Sequence, residues 1–263
     1  MVGFSYDENS SYLRGAAAAP PMIREALYNE ASNLWSETGL DLGHTDTYFD
    51  AGDFHFNSPQ EASAEIESTV AGLLKHDVPL ISLGGDHSIT FPIIRAFHKK
   101  YPKLTILQLD AHPDLYYQYQ ENPLSNASPF ARIMEHQLAD RLIQVGIRTM
   151  NGHQQQQADK YKVTVIEMKD FQGPVNLNLD TPLYISFDMD VLDPAFAPGV
   201  SHHEPGGMST RQALNIIHAL EGANIVGADI VEFNPRRDIN GVTAMTAAKI
   251  LKEISAKILE TKS

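Results

Sequence analysis

Short apolar runs recur along the chain, separated by stretches in which the apolar residues have helical spacing. Each run is apolar throughout and rich in β-branched residues, as expected of parallel strands that are buried on both faces. The runs predict strands over residues 79–83, 104–109, 142–147, 163–166, 183–187 and 225–231.

The stretches between the runs predict helices. Pro21 suits a first helical turn, and Ser58-Pro59-Gln60-Glu61 and Ser209-Thr210-Arg211-Gln212 have the pattern of a capping box. The predicted helices cover residues 21–32, 58–75, 88–100, 128–136, 209–220 and 242–261. This alternation predicts an α/β fold, a three-layer α/β/α sandwich with a mostly parallel central sheet. No linker or repeat interrupts it, so residues 1–263 are interpreted as a single domain.

The amino-acid composition excludes several kinds of site. The 263 residues include no cysteine, which excludes disulfides, a zinc–thiolate site, an iron–sulfur cluster and a cysteine nucleophile. No apolar run reaches the ~18 residues of a membrane span, and the N-terminus lacks the pattern of a signal peptide. We therefore expect a cytoplasmic protein with no membrane partner.

The chain is acidic, with a formal net charge of −13 from 33 Asp and Glu against 20 Lys and Arg. This balance argues against nucleic acid as a partner, because phosphate binding relies on basic residues. The excess of acids is compatible with a cationic substrate or with metal ions. Solubility alone accounts for it equally well.

Histidines and carboxylates directly follow four of the predicted strands. A parallel sheet binds its ligands beyond the carboxyl ends of its strands, so we expect these residues at one rim. The segments are Gly84-Gly85-Asp86-His87-Ser88, Asp110-Ala111-His112-Pro113-Asp114, Asp188-Met189-Asp190-Val191-Leu192-Asp193 and Glu232-Phe233-Asn234-Pro235.

Four aspartates gathered at one rim repel each other and require neutralisation. Two divalent cations would balance their charge, with two imidazoles as neutral ligands. Oxygen and imidazole ligands without thiolate suit Mn²⁺, while Fe²⁺, Co²⁺, Ni²⁺ and Zn²⁺ stay open. The candidate metal ligands are His87, Asp110, His112, Asp114, Asp188 and Asp190.

Each motif also has a plainer interpretation when taken alone. Residues 110–114 can form a capped turn, residues 84–85 a tight turn and residues 188–190 a helix cap, while Glu232 can pair with a nearby arginine. Their position at four strand ends favours a binuclear metal site over a set of unrelated turns and caps.

Together these motifs resemble the signatures of the ureohydrolase family, which includes arginase and agmatinase. The longest signature is matched by residues 186–200, and similarity extends to residues 10–15, 50–53 and 204–207. The resemblance covers nearly the whole chain. It points to the plant-like and bacterial, agmatinase-type branch of the family.

The resemblance implies an arginase-like fold, a homotrimer or homohexamer, and two Mn²⁺ per chain. Each ion would have one histidine and one aspartate of its own and would share two further aspartates. The sets are His87 with Asp114, His112 with Asp190, and Asp110 with Asp188 as the shared pair.

The resemblance also implies a reaction, in which water activated between the ions attacks the carbon of a small cationic guanidino substrate. The products are urea and an amine. Glu232 would pair with the guanidinium, because a carboxylate accepts two parallel N–H bonds from that planar group. The candidate catalytic residues are Glu232, Asp110 and Asn126.

Two features depart from the family pattern. Residues 3–7 are similar to the segment that follows the family's first strand, so this edge strand is expected to be missing or very short. At Asn126 the branch normally carries a histidine that donates a proton to the leaving amine, and an amide cannot titrate. His202 and His203 are the nearest alternative groups along the sequence.

Residues 116–126 lie where the tail of the substrate is expected, and they include no Lys or Arg to receive a carboxylate. This favours agmatine, hydrolysed to putrescine, over arginine. Glu232, Tyr116 and His202 are the candidate substrate-binding residues. Arginine or another guanidino compound stays an alternative, and Asn126 motivates one from another class, a non-catalytic metal-binding homologue.

Overall fold

The apolar runs form one sheet of parallel strands. The computed structural model describes residues 1–44, 48–56, 58–173 and 180–260. Its strands are β1 (Val2–Phe4), β2 (Asp53–Phe54), β3 (Leu80–Leu83), β4 (Thr105–Leu109), β5 (Arg141–Ile147), β6 (Thr164–Glu167), β7 (Leu183–Asp188) and β8 (Ile225–Val231). Their order across the sheet is β2-β1-β3-β8-β7-β4-β5-β6, and each neighbouring pair is parallel.

Helices cover both faces of the sheet. They are α1 (Ala19–Leu27), α2 (Pro59–Leu73), α3 (Thr90–Lys100), α4 (Pro129–Glu135), α5 (Gly152–Tyr161), α6 (Thr210–His218) and α7 (Val242–Glu260). One apolar core packs α1, α6 and α7 against one face, and a second packs α2 to α5 against the other. The predicted three-layer α/β/α fold is therefore confirmed. No helix within the described ranges is long and apolar enough to span a bilayer.

The predicted strands are confirmed, and their ends differ by at most one residue from those observed. Helix ends were less accurate, and Thr261, the predicted end of the last helix, lies outside the described residues. At α6 the capping box of Ser209 and Gln212 is present, whereas Ser58 begins α2 without a side-chain cap hydrogen bond. Sequence analysis missed α5, whose composition is almost wholly polar.

The N-terminal strand differs from the expectation of a missing or very short edge strand. It is short, as β1 has three residues, but it lies inside the sheet between β2 and β3. The edge position belongs to β2. Arg24 of α1 secures this edge, because its guanidinium binds Asp50 at 2.7 and 2.9 Å and also binds Asp53. Strands of two or three residues leave no periodicity to detect.

The strand order brings together the four strands that precede the chemical motifs. β3, β8, β7 and β4 are neighbours in the sheet, although β7 and β8 come last along the chain. All four run in the same direction, so their carboxyl ends meet at one edge.

Gly85 lies at the crossing of three segments at this edge. Its carbonyl accepts a hydrogen bond from the Glu232 N–H at 2.9 Å, and the next residue, Asp86, donates from its backbone N–H to the Tyr6 carbonyl at 3.0 Å. A Cβ on Gly85 would lie 1.7 Å from the Tyr6 oxygen. The backbones therefore meet where only glycine fits.

We expect Gly85→Ala to lower the free energy of unfolding by about 2–4 kcal/mol, because the clash is with backbone. Gly72→Ala in α2 is the matched control, since no described atom outside the helix's own backbone lies within 4 Å of its Cβ. That change should stabilise the protein by about 0.5–1 kcal/mol, as expected in a helix. Urea unfolding followed by circular dichroism measures the free energy of unfolding of both variants. Equal values for the two variants would contradict the prediction.

Candidate active site

The strand ends bring three aspartates around one imidazole. Nδ1 of His87 lies 3.2 Å from Asp110, 3.0 Å from Asp114 and 3.0 Å from Asp188, in each case measured to the Oδ2 atom. All four side chains are buried. His87 follows β3, Asp110 and Asp114 follow β4, and Asp188 is the last residue of β7, so all four lie at the strand ends predicted from the sequence.

A second group lies beside the first and shares Asp110. Nδ1 of His112 lies 2.9 Å from Oδ2 of Asp190 and 3.6 Å from Oδ1 of Asp110. The ligand atoms of His87, Asp110 and Asp114 lie close enough to hold one metal ion, and those of Asp110, His112 and Asp190 could hold another. The arrangement thus offers two adjacent cation sites.

Local backbone hydrogen bonds orient the carboxylates. Oδ1 of Asp110 accepts from the His112 N–H at 2.6 Å, and Oδ1 of Asp188 accepts from the Asp190 N–H at 2.8 Å. Each is an aspartate that bonds to the backbone two residues ahead, a turn that this residue type favours. Asp114 takes up a left-handed backbone conformation with φ of 50°. The spacings Asp-x-His-x-Asp and Asp-x-Asp therefore encode the local geometry.

Without a cation these carboxylates oppose each other's ionisation. Burial and the charge of Asp110 raise the pKa of Asp114 to about 7. Burial and neighbouring aspartates raise the pKa of Asp188 well above its usual range. Burial acts in the same sense on Asp110, but the adjacent imidazoles of His112 and His87 outweigh it and hold that pKa below its usual range. Full ionisation at neutral pH therefore requires added positive charge.

The proton arrangement on His87 fits a metal ligand. Its Nε2 lies 2.9 Å from the Ser186 hydroxyl, which itself donates to Oδ1 of Asp229 at 2.7 Å. Since the hydroxyl hydrogen is used on Asp229, Nε2 must be the donor. In the neutral ring Nδ1 then carries the lone pair, and this buried atom has no hydrogen-bond partner among the described residues. A cation between Nδ1 and the carboxylates completes the arrangement.

Glu232 presents one carboxylate oxygen without a partner. Its backbone is left-handed, with φ of 63°. Oε1 accepts from the His87 N–H and from Nδ2 of Asn126, both at 2.9 Å. Oε2 is buried and has no hydrogen-bond partner among the described residues. Burial raises the pKa of Glu232, so a cationic partner would favour its ionised form.

These groups border a cleft of about 210 Å³. No Lys or Arg is among the described side chains that line it, and four of these side chains are aspartate or glutamate. They belong to Ser11, His112, Asp114, Tyr116, Tyr119, Asn126, Ala127, Thr149, Gln154, Asp188, Asp190, His202 and Glu232. The remaining predicted ligands, His87 and Asp110, are fully buried beside it.

Tyr116 and His202, predicted to bind substrate, both line the cleft. The Tyr116 hydroxyl accepts from Nδ2 of Asn151 at 2.5 Å, and Nε2 of His202 lies 3.2 Å from Oγ of Ser11. Burial lowers the pKa of His202. His203 is not among the lining residues, and its Nε2 instead lies 2.6 Å from the Pro198 carbonyl oxygen.

Several residues of the site were missed by sequence analysis. Ser11 and Ser186 belong to segments that carried the resemblance, but no role was inferred for them. Asp229 lies inside an apolar strand, where an isolated aspartate was a detectable signal. Gln154 is on α5, which was itself missed, so no signal pointed to it.

Comparisons with known proteins agree with this geometry. The family model described as Arginase family matches residues 1–256. The chain is 44% identical over 275 residues to arginase 1, mitochondrial, of Arabidopsis thaliana, covering 98% of this chain and 80% of the relative. It is 34% identical over 265 residues to an agmatinase of Halalkalibacterium halodurans, covering 97% and 90%. The solved structure of arginase from Medicago truncatula has a TM-score of 0.90 at 39% identity, covering 98% of this chain and 86% of that one.

We expect the wild-type protein to bind two divalent cations per chain. Asp110→Ala should lower occupancy at both sites, because Asp110 belongs to both groups of ligand atoms. Asp188→Ala should do the same if Asp188 has the shared role that the family resemblance implies. Elemental analysis after Mn²⁺ loading and desalting measures the content. Asp193→Ala is the matched control, since this carboxylate binds the backbone N–H groups of Ala195 and Gly206 instead. A fully loaded Asp188→Ala protein would contradict the shared role.

Proposed function

This chain belongs to the arginase family of hydrolases, which act on the C–N bonds of guanidino groups, and on that basis we propose that it hydrolyses agmatine to putrescine and urea. One observation carries the proposal: Oε2 of Glu232 is buried beside an acidic cleft, without a partner among the described residues. A planar guanidinium satisfies such an oxygen with directed N–H bonds and balances its charge.

The aspartates and histidines at the rim act as the metal-binding residues in this proposal. When bound, two divalent cations neutralise the carboxylates and activate water for attack on the guanidinium carbon. Mn²⁺ is the proposed metal, because the ligands are mostly carboxylate oxygens and the chain has no cysteine. The proposed ligands are His87, Asp110, His112, Asp114, Asp188 and Asp190.

The protein's own groups orient the reactants. Glu232 would hold the guanidinium against the metal-binding aspartates, since the His87 N–H fixes its other oxygen. Tyr116 and His202 would contact the substrate's tail, because both line the cleft beyond the carboxylates. Excluding bulk water from such a cleft strengthens each charge interaction within it.

Charge favours agmatine over arginine. No Lys or Arg side chain lines the described part of the cleft, so the carboxylate of arginine would meet acidic neighbours without such a partner. Arginine is the second candidate substrate, because the Arabidopsis relative at 44% identity is named an arginase. A homotrimer or homohexamer, a single domain over residues 1–263 and a cytoplasmic location stay predictions, and the same relative is by name mitochondrial.

A panel of arginine, agmatine, guanidinobutyrate and guanidine tests the substrate. With Mn²⁺ bound, we expect kcat/KM for agmatine to exceed that for arginine by at least about tenfold, since an unpaired carboxylate in the cleft costs on the order of 1–3 kcal/mol. Release of urea is the measurement. Faster hydrolysis of arginine would favour the second candidate, and no urea from any compound with metal fully loaded would reject the proposed function.

Glu232→Gln keeps the size of the side chain and removes its charge. We expect turnover to fall by about 10²-fold or more, because the charge-assisted pair with the guanidinium is lost. Metal content should stay at the wild-type value, which elemental analysis of the same sample measures. Loss of metal in this variant would instead make Glu232 a ligand.

A further inference from the structure

Asn126 lies on the loop between β4 and α4, and its buried amide joins two parts of the cleft. Nδ2 donates to Oε1 of Glu232 at 2.9 Å. Oδ1 accepts from the Ser11 N–H at 3.0 Å. We propose that Asn126 is a positioning residue, which aims the free oxygen of Glu232 at the substrate and ties residues 9–11 across the cleft.

The hydrogen bond from Asn126 determines which oxygen of Glu232 stays available. Two donors, the His87 N–H and Asn126 Nδ2, converge on Oε1 and leave Oε2 for the substrate. Without Nδ2 a single backbone donor would hold the carboxylate, and rotation about its terminal bond could exchange the two oxygens. This inference rests on the proposed role of Glu232 as the guanidinium partner.

An amide suits this position because it donates and accepts at every pH. A neutral imidazole can do both, but a protonated imidazole has no lone pair left for the Ser11 N–H. A residue that cycles between these states would break the contact with Ser11 in each cycle. Asn126 keeps both contacts at every pH and cannot itself transfer a proton.

Residues 9–11, of which Ser11 lines the cleft, form a segment that we call the wall and that further contacts hold at both ends. The Asn9 carbonyl accepts from the backbone N–H of Asn126 at 3.1 Å, and Oδ1 of Asn9 accepts from Nδ2 of Asn122 at 3.1 Å. On the other side the Asn9 N–H donates to Oδ2 of Asp86 at 3.0 Å. Ser11 itself lines the cleft. The wall and Glu232 are thus coupled through one side chain.

Asn126→Ala tests the coupling, with Asn122→Ala as the matched control. The control removes a hydrogen bond to the same wall, and one that Asn122 accepts from the Leu124 N–H, but leaves Glu232 untouched. We expect Asn126→Ala to raise KM for agmatine by about 10- to 100-fold, the range of a hydrogen bond to a charged group, with a smaller change in kcat. Asn122→Ala should keep both constants within about 3-fold of wild type.

Asn126→Asp separates the two contacts. An aspartate retains an acceptor for the Ser11 N–H but sets a second carboxylate against Glu232. KM should therefore rise at least as far as in Asn126→Ala. An unchanged KM in both Asn126 variants would overturn the proposal, and so would a loss confined to kcat.

A second readout is independent of hydrolysis. The side-chain amide signals of Asn126 in a ¹⁵N–¹H spectrum are assigned by their loss in Asn126→Ala, and Glu232→Gln should shift them. If the signals shift but wild type releases no urea from any guanidino compound, the proposed function fails and the positioning contact stands. If wild type releases urea and the signals do not move in Glu232→Gln, the positioning proposal fails alone.

Discussion

Four aspartates lie around two imidazoles at the carboxyl edge of the sheet, and this concentration of buried negative charge constrains the rest of the structure. Each carboxylate needs donors or cations to remain ionised away from water. Backbone N–H groups that follow the strands supply some, as at Asp110 and Asp188. The remainder must come from positive charge held between the side chains, which is why the geometry suits metal ions.

Hydrogen bonds link the buried carboxylates and imidazoles to polar side chains inside the sheet. Asp229 of β8 binds Ser186 of β7, and Ser186 holds the ring of His87. On the other side Gln108 of β4 donates to Asp110 at 2.6 Å, and Gln144 of β5 donates to Gln108 at 2.6 Å. Buried chains of this kind fix the ring orientation and the carboxylate rotamers. The groups that could bind metal are therefore held in place at the ends of the strands.

The substrate side is built differently, from loops. Six residues that line the cleft belong to loops, and loops can change between relatives without disturbing the sheet. They are Ser11, Tyr116, Tyr119, Asn126, Ala127 and His202. Arginases and agmatinases among the compared proteins share the fold at high coverage. Asn126 lies on the loop between β4 and α4, so a substitution at that position leaves intact the strands that precede the candidate metal ligands.

The sequence by itself determined the buried strands and the residues that follow them. Continuous apolar runs predict buried parallel strands, and motifs such as Asp110-Ala111-His112-Pro113-Asp114 encode their turn within five neighbouring residues. Resemblance to a family added a proposed pairing of ligands and proposed roles for Glu232 and Asn126. The apolar runs, the short motifs and the family signatures each lie within a short stretch of the sequence, so they can be recognised without the folded structure.

Only the tertiary structure decided which distant segments meet. The adjacency of β3, β8, β7 and β4 follows from packing of the whole chain, and so does the internal position of the short β1. Asn126 and Glu232 are 106 residues apart, and Ser11 and Asn126 are 115 apart. Hydrogen bonds over such separations leave no periodicity in the sequence, because their geometry depends on where separate strands and loops come to rest in the folded chain.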